Sequence, residues 1–251
     1  MPVLHVAIPH HDEARTLPAL LDRVSEAPLP RGWTRRIVVC DDASPAESRR
    51  IAERAIADLG ARGATAELLL HPERRGKGAA VRSAVARILE LADDDDAIVL
   101  QDADLEYDPA DHAAMIAQLK DREQAVYGSR WSRGAARSLG VIQRFGNWML
   151  TRASNWMTGQ RLTDMECGLK LLTVPAMRRI AADLSEEGFG IEPQITAALS
   201  REGVRIAEVP VAYAPRTVAE GKKIRWRDGI EALRVIRRER RRSAGRTAAA
   251  S

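Results

Sequence analysis

The sequence predicts an α/β fold, a single Rossmann-like domain whose mostly parallel sheet is flanked by helices. Three observations carry this reading. Short β-branched apolar runs alternate with stretches of helical period, each run ends in a turn, and the polar segments 9–13, 41–44 and 102–106 each directly follow a run. The runs are mostly apolar, as strands covered on both faces require. With 251 residues and 45% hydrophobic composition, the chain can bury one large core.

VLHVAIP reads as the first strand and TLPALLDRVSEA as the first helix. RIVVC and PAESRRIAERAIADLG repeat the pair, as do AELLL and GKGAAVRSAVARILELA, in which Val81, Val85, Ile88 and Ala92 share one face. AIVLQ is the fourth strand, and acid brackets it. Residues 93–96 before it are all Asp, while Asp102, Asp104 and Glu106 follow it. A five-residue strand separates the two clusters by roughly 16 Å. The run 93–96 therefore belongs at the opposite edge of the sheet, where a solvated loop is expected. In an extended continuation Asp102, Asp104 and Glu106 point the same way, and three gathered carboxylates repel unless a divalent cation with oxygen ligands joins them. Asp108, Pro109 and Asp111 then fit the N-cap, N1 and N3 positions of a helix.

Beyond residue 130 the sequence suggests a helix over 141–157, a strand at LKLLTV, a helix over 191–201, a strand at VRIAEVPVAY and a last helix over about 228–240. No internal repeat is present. On the wheel of the 141–157 helix, Ile142, Phe145, Met149, Ala153 and Trp156 form one face with Trp148 at its margin, a stripe expected to pack mostly into the core.

The formal charge of +4 is unevenly placed, with much of the excess in RVIRRERRRSAGR from Arg234 onward. A local basic run does not suggest a nucleic-acid partner. Two separated cysteines, Cys40 and Cys167, offer neither a disulfide framework nor a zinc motif. The N-terminus lacks the regions of a signal peptide, and no run approaches the roughly 20 apolar residues that span a bilayer. A cytoplasmic protein is expected, peripheral to the inner membrane face at most.

The segments IPHHDE, VVCDDAS, RGKGAAVRSAV, LQDADLEYDP, YGSR, LTDMECGLKLL, GFGIEPQITAAL and EGKKIRWRDG occur in that order over residues 5–235. In them the chain resembles family 2 glycosyltransferases of the GT-A fold, in the branch of dolichyl-phosphate mannosyltransferases and bacterial polyprenyl-phosphate relatives. The resemblance implies a nucleotide-sugar donor such as GDP-mannose or a UDP-hexose, a divalent Mg2+ or Mn2+, and inversion at the anomeric carbon. It divides residues 1–235 into a nucleotide-sugar-binding half, 1–130, and an acceptor-side half, 131–235, followed by a basic, disordered tail over 236–251.

Residue by residue, the resemblance implies that Pro9, Glu13, Asp41 and Asp42 hold the nucleoside, although helix capping would equally occupy Asp41 or Asp42. His11 and Asp12 stand where Tyr and Asn are usual, which leaves the base open. Gly76, Lys77 and Gly78 lie beside the nucleoside, where helix-start amides and a cation suit phosphate; a tight turn feeding a buried helix is the alternative. Asp102, Ala103 and Asp104 form the donor-site element, with Asp102, Asp104 and Glu106 as metal ligands. Arg130 would bind a further phosphate or form a surface salt bridge. Arg216, Lys222 and Lys223 would close over donor phosphates, or form an ordinary charged run.

Asp164 and Glu166 occupy the position of a catalytic base, although Thr163 and Asp164 could instead brace the loop. An alcohol needs such a base, whereas a phosphate monoester attacks without one. Polyprenyl phosphate is the expected acceptor, its head met by Arg144 and Arg152. A small soluble hydroxyl compound is the alternative, and a non-catalytic binding protein a lesser one. The terminal Arg cluster could supply peripheral membrane contact, each cation contributing on the order of 1 kcal/mol near anionic lipid. A solvated tail explains the same residues. No GxGTR-type loop is present, which argues against a sugar nucleotidyltransferase.

Overall fold

The structure, a computed structural model, describes residues 1–131, 140–216, 232 and 234–239. Strands and helices alternate through β1 (Val3–His10), α1 (Leu17–Glu26), β2 (Thr34–Asp41), α2 (Ala46–Ala61), β3 (Thr65–Leu70), α3 (Lys77–Leu91) and β4 (Ala97–Leu100). The chain continues through α4 (Asp111–Ile116), β5 (Gln124–Ser129), α5 (Val141–Thr158), β6 (Lys170–Thr173), α6 (Val174–Ala181), α7 (Ile191–Arg201) and β7 (Arg205–Pro210).

Seven strands form one sheet in the order β3-β2-β1-β4-β6-β5-β7. All run parallel except β6, which is antiparallel to both β4 and β5. The alternating side chains of the central strands feed two cores. On β2, Val38 and Cys40 join Val81, Val85, Ile88 and Met177 on one face, while Ile37 and Val39 join Leu20, Leu21, Ala52 and Leu59 on the other.

Register decides where the chemistry gathers. β1 and β2 end level, with His10 opposite Asp41, and β4 pairs Leu100 with Ala7. The segments after β1, β2 and β4 therefore leave from the same carboxyl-end edge, where open α/β sheets bind ligands.

Several local expectations are corrected. Asp96 is buried rather than solvated, accepting from the Val3 amide at 2.7 Å and the Asp93 amide at 3.0 Å and contacting His5 Nε2 at 3.1 Å. It fastens the amino-end edge of the sheet. The helix expected at Pro109 begins later, at Asp111, because Asp108 folds a turn by accepting from the Ala110 amide at 3.0 Å. β5 and α6 are additional elements; QAVYGS is a short strand, and α6 starts directly at the end of β6 with a proline in its first turn. The stripe on α5 does not enter the core: Ile142 is 88% exposed and Trp156 73%. Asn147, Leu150, Thr151 and Ser154 are buried in its place. Residues 232 and 234–239 are helical, with Ile236 and Glu239 buried, so packed structure continues past the boundary expected at 235. Lys222, Lys223 and the tail beyond 239 lie outside the described residues.

Candidate active site

The acidic segment after β4 does not continue as a strand. Leu105 takes a positive φ of 63°, and the Glu106 amide donates to Asp104 Oδ1 at 3.1 Å. The alternation that would align three carboxylates is thereby replaced by a tight turn. Its charge is met by two protein cations. Lys77 Nζ lies 2.7 Å from Asp102 Oδ1, and Arg216 reaches Asp104 Oδ2 at 3.2 Å and Glu13 Oε2 at 2.8 Å. Glu106 accepts from Tyr213 Oη at 2.8 Å and the Arg216 amide at 2.9 Å.

Compensation is incomplete. Burial, and then the charges of Asp102 and Glu106, push the Asp104 carboxyl up to about 7, with Arg216 pulling the other way. An oxygen-only donor set under this electrostatic load suits a hard divalent cation. All three carboxylates already accept from the protein, Asp102 from Lys77, Asp104 from the Glu106 amide and Arg216, and Glu106 from Tyr213 and the Arg216 amide, so a cation would have to displace Lys77 or Arg216 to reach them. Among the described residues no three acidic, His or Cys side chains stand together as a ready-made metal cluster. Ala103 is buried between the two aspartates, and Pro9 lies at the end of β1 opposite Cys40.

The remaining donor-side residues mostly brace one another. Asp41 is fully buried; it accepts from the Ser44 hydroxyl and from its amide at 3.3 Å, a turn leading into α2. Asp42 contacts His71 Nδ1 at 2.8 Å and accepts from the amides of Arg75 at 2.9 Å and Gly76 at 2.6 Å. Burial alone would raise its pKa, but these partners hold it below the ordinary carboxylate range. Asp42 thus anchors the RRGKG loop.

That loop does not present a free nest of amides. Gly78 N donates to Glu187 O at 2.7 Å and Ala79 N to the same oxygen at 3.2 Å. A Cβ on Gly76 would stand 2.4 Å from Glu187 O, and one on Gly78 2.4 Å from Glu186 O. These glycines permit close packing, which is the tight-turn alternative. Lys77 alone faces the carboxylates, bridging Asp102 to Glu192 Oε1 at 3.0 Å. Glu192 also pairs with the fully buried Lys170.

On the acceptor side, Arg130 is 8% exposed and so is no surface residue. Its guanidinium grips Asp164 in a fork, Nε to Oδ2 and Nη2 to Oδ1 both at 2.7 Å, while its amide adds a third contact at 3.0 Å. Asn147 Nδ2 donates to Oδ1 at 2.9 Å. Asp164, fully buried with four donors on its carboxylate, orients Arg130, the bracing role that the sequence offered beside that of a base. Glu166 is different. Its Oε1 is sealed from solvent with no hydrogen-bond partner. Burial, reinforced by Glu192 and Asp164 and opposed by Lys170 and Arg130, pushes its carboxyl up to about 7.

The two sides meet at Gly168. A Cβ there would lie 2.5 Å from Asp102 Oδ2, and its amide donates to Tyr107 Oη at 3.2 Å. Gly168, His71, Lys170, Glu192 and Tyr213 were not singled out by sequence. Gly168, Lys170 and Glu192 had a usable signal, lying inside the quoted segments.

Residues 5–178 match the family Glycosyl transferase family 2. Glycosyltransferase AglJ of Haloferax volcanii is 25% identical over 211 residues, 84% of this chain and 63% of the relative. The chain thus spans less than two thirds of that protein's length. An undecaprenyl-phosphate mannosyltransferase of Micrococcus luteus is 26% identical over 216 residues, 86% of this chain and 85% of the relative. Among solved structures, glucosyl-3-phosphoglycerate synthase from Mycobacterium tuberculosis, in complex with Mg2+ and uridine diphosphate, superposes with a TM-score of 0.63 at 18% identity, covering 95% of this chain and 79% of that one. At that identity the likeness concerns the fold.

Proposed function

Because this chain belongs to glycosyl transferase family 2 and has the GT-A fold, we propose that it moves a sugar from a nucleotide-sugar donor to a polyprenyl phosphate with inversion. The observation that carries the donor half is the carboxyl-edge pair Asp102 and Asp104, whose charge Lys77 and Arg216 only partly neutralise. Asp102 and Asp104 would hold Mg2+ or Mn2+, with Glu106 as the third expected ligand. Such a cation, when bound, supplies Lewis-acid stabilisation to a departing nucleoside diphosphate.

The chain's own residues have separate tasks. Arg216 joins Glu13 to Asp104, and so ties the loop after β1 to the acidic turn. Together with Lys222 and Lys223, which lie outside the described residues, it would follow incoming phosphate and shut out water. Glu13 and Pro9 border the nucleoside end, with Asp41 and Asp42 shaping that wall from behind. Arg130, fixed by Asp164, offers a positioned cation on the acceptor side.

The lipid-phosphate reading draws on the M. luteus relative and on Asp164, whose saturated carboxylate suits an acceptor that brings its own negative charge. Glu166 favours a second reading. A carboxyl near 7 with an unengaged oxygen is tuned for proton removal, which a soluble hydroxyl acceptor would require. The deciding experiment screens GDP- and UDP-sugars against polyprenyl phosphates and soluble alcohols with the purified chain. Lipid-linked product is expected; product from an alcohol, with none from any polyprenyl phosphate, overturns the choice.

A further inference from the structure

Tyr213 sits where the chain leaves β7 and crosses the acidic turn, and its backbone is fixed from both sides. The Val211 amide donates to Ser129 O at 3.2 Å, the Ala212 amide to Asp111 Oδ2 at 2.7 Å and the Ala214 amide to Glu106 O at 2.9 Å. Tyr213 itself pairs with Tyr107 in an isolated antiparallel bridge, and the two rings stand 5.2 Å apart with their planes at 46°. Only the side-chain torsions are left to place the phenol, so its ring and hydroxyl move as one rigid body.

The hydroxyl reaches the donor side. It donates to Glu106 Oε2 at 2.8 Å, while the Arg216 amide donates to Oε1 at 2.9 Å. Both of these donors are neutral, so they aim the carboxylate and leave its charge in place, with a lone pair to spare on each oxygen. Burial, and then the charge of Glu106, raises the pKa of the phenol, with Arg130 opposing, which keeps the hydroxyl protonated as a donor. The ring reaches the acceptor side. The guanidinium carbon of Arg130 lies 5.1 Å from its centroid, within the range of a cation–π contact. Asp164 grips the same guanidinium at Nε and Nη2, so carboxylate and ring hold it together.

We propose that Tyr213 is a positioning residue for both substrates: its hydroxyl orients Glu106 toward the donor cation, and its ring seats Arg130 for the anionic head of the acceptor. A carboxylate that ligates a metal is itself held by hydrogen bonds, and loss of such a partner costs about 10–100-fold in metal affinity. The two tasks use different atoms of one side chain, so substitution separates them. The proposal rests on the donor and acceptor roles given above to Glu106 and Arg130; variants of those two residues are therefore part of the test, and each idea can fail alone.

The test titrates the purified full chain by calorimetry with Mn2+ in the presence of UDP or GDP, and separately with farnesyl phosphate as the acceptor probe. Glu106→Gln weakens Mn2+ binding and Arg130→Lys weakens farnesyl phosphate binding. Tyr213→Phe, which keeps the ring, binds Mn2+ about tenfold or more weakly, while its farnesyl phosphate affinity stays within about twofold of wild type. Tyr213→Leu, or Tyr213→Met should the former not fold, shows the same Mn2+ loss and also binds farnesyl phosphate about fivefold more weakly. A merely structural role would instead lower both affinities together in Tyr213→Phe, which overturns the proposal. Unchanged Mn2+ affinity in Tyr213→Phe, beside a loss in Glu106→Gln, overturns the task given to the hydroxyl. Equal farnesyl phosphate affinity in Tyr213→Leu and Tyr213→Phe, beside a loss in Arg130→Lys, overturns that of the ring. No loss in Glu106→Gln or in Arg130→Lys overturns the underlying assignment of that residue, and with it the half of the proposal built on it.

Discussion

At the residue scale, Asp164 and Glu166 are two positions apart but differ in their surroundings. Asp164 is held in a guanidinium fork by Arg130; burial pushes the Glu166 carboxyl up to about 7. With a phosphate acceptor, Glu166→Gln should keep transfer within about threefold and leave the shape of the pH profile near 7 unchanged. With a hydroxyl acceptor, kcat should rise through pH 7 as Glu166 loses its proton, and Glu166→Gln should cost on the order of 10²-fold or more. Asp164→Asn is not a clean probe of a base, because it strands Arg130 in a buried site, at about 3–5 kcal/mol. Stability gives a check without substrate. Between the ordinary carboxylate pKa and about 7 the folded chain keeps a proton that the unfolded chain has released, so stability falls as pH rises through that window. Glu166→Gln removes its own share of the fall, leaving that of Asp104, and should gain Tm over wild type at pH 8, by roughly 2–4 °C for each kcal/mol, but not at pH 4. An equal Tm difference at both pH values would reject the shifted carboxyl. Asp104→Asn should abolish the Mn2+ signal in calorimetry with UDP or GDP present, and unchanged metal binding would remove Asp104 from the ligand set. Asp102 and Asp104 were legible because residue type and a strand end are both local facts. Glu192 was not, since its meeting with Lys77 joins positions 115 residues apart.

At the scale of elements, the active edge is assembled by close approaches rather than by free loops. Gly168 ends the turn after Glu166 against Asp102, and Gly76 and Gly78 let the start of α3 dock on the 186–188 segment. Gly168→Ala should therefore push Asp102 aside, costing about 1–3 kcal/mol of stability and weakening metal and nucleotide binding at least tenfold. A variant with wild-type nucleotide affinity would show that Asp102 tolerates the shift. Gly76→Ala, at a φ of 108° and facing backbone, should destabilise the fold at least as much. The first four strands and three helices were readable because each is a long, uninterrupted period. β5 escaped because QAVYGS is only six residues long and follows a charged stretch, and α6 because it begins without a linker after β6. The α5 boundaries were readable, yet its orientation was not: a wheel shows that a stripe exists, but the hydrogen bonds of Asn147 and Thr151 decide which side faces in.

At the scale of the whole molecule, the parallel half of the sheet supplies the donor edge, while β5, β6 and the turn before β6 bring Arg130, Asp164 and Glu166 to it. Arg216 couples the two, since it lies after β7 in sequence yet touches Glu13 after β1 and Asp104 after β4. Of the two carboxylates it now neutralises, Asp104 is one that the proposed cation would claim. Binding of metal and nucleoside diphosphate should therefore release Arg216 toward phosphate and carry the KKIRW segment with it, an exchange of protein cation for metal ion that excludes water as the site fills. Hydrogen exchange of the full chain should show protection over residues 216–226 with Mg2+ and the cognate diphosphate together, and little with either alone, because a metal without phosphate leaves Arg216 no new partner. Truncation after Arg240 should leave that protection intact, as the tail beyond it has no donor role. Arg216→Ala should abolish the protection while sparing the helical residues 234–239, which are held independently by Arg201 on Glu239. Protection that is equal with and without ligand, or that persists in Arg216→Ala, would mean that the segment closes by another contact and that Arg216 only braces the acidic turn.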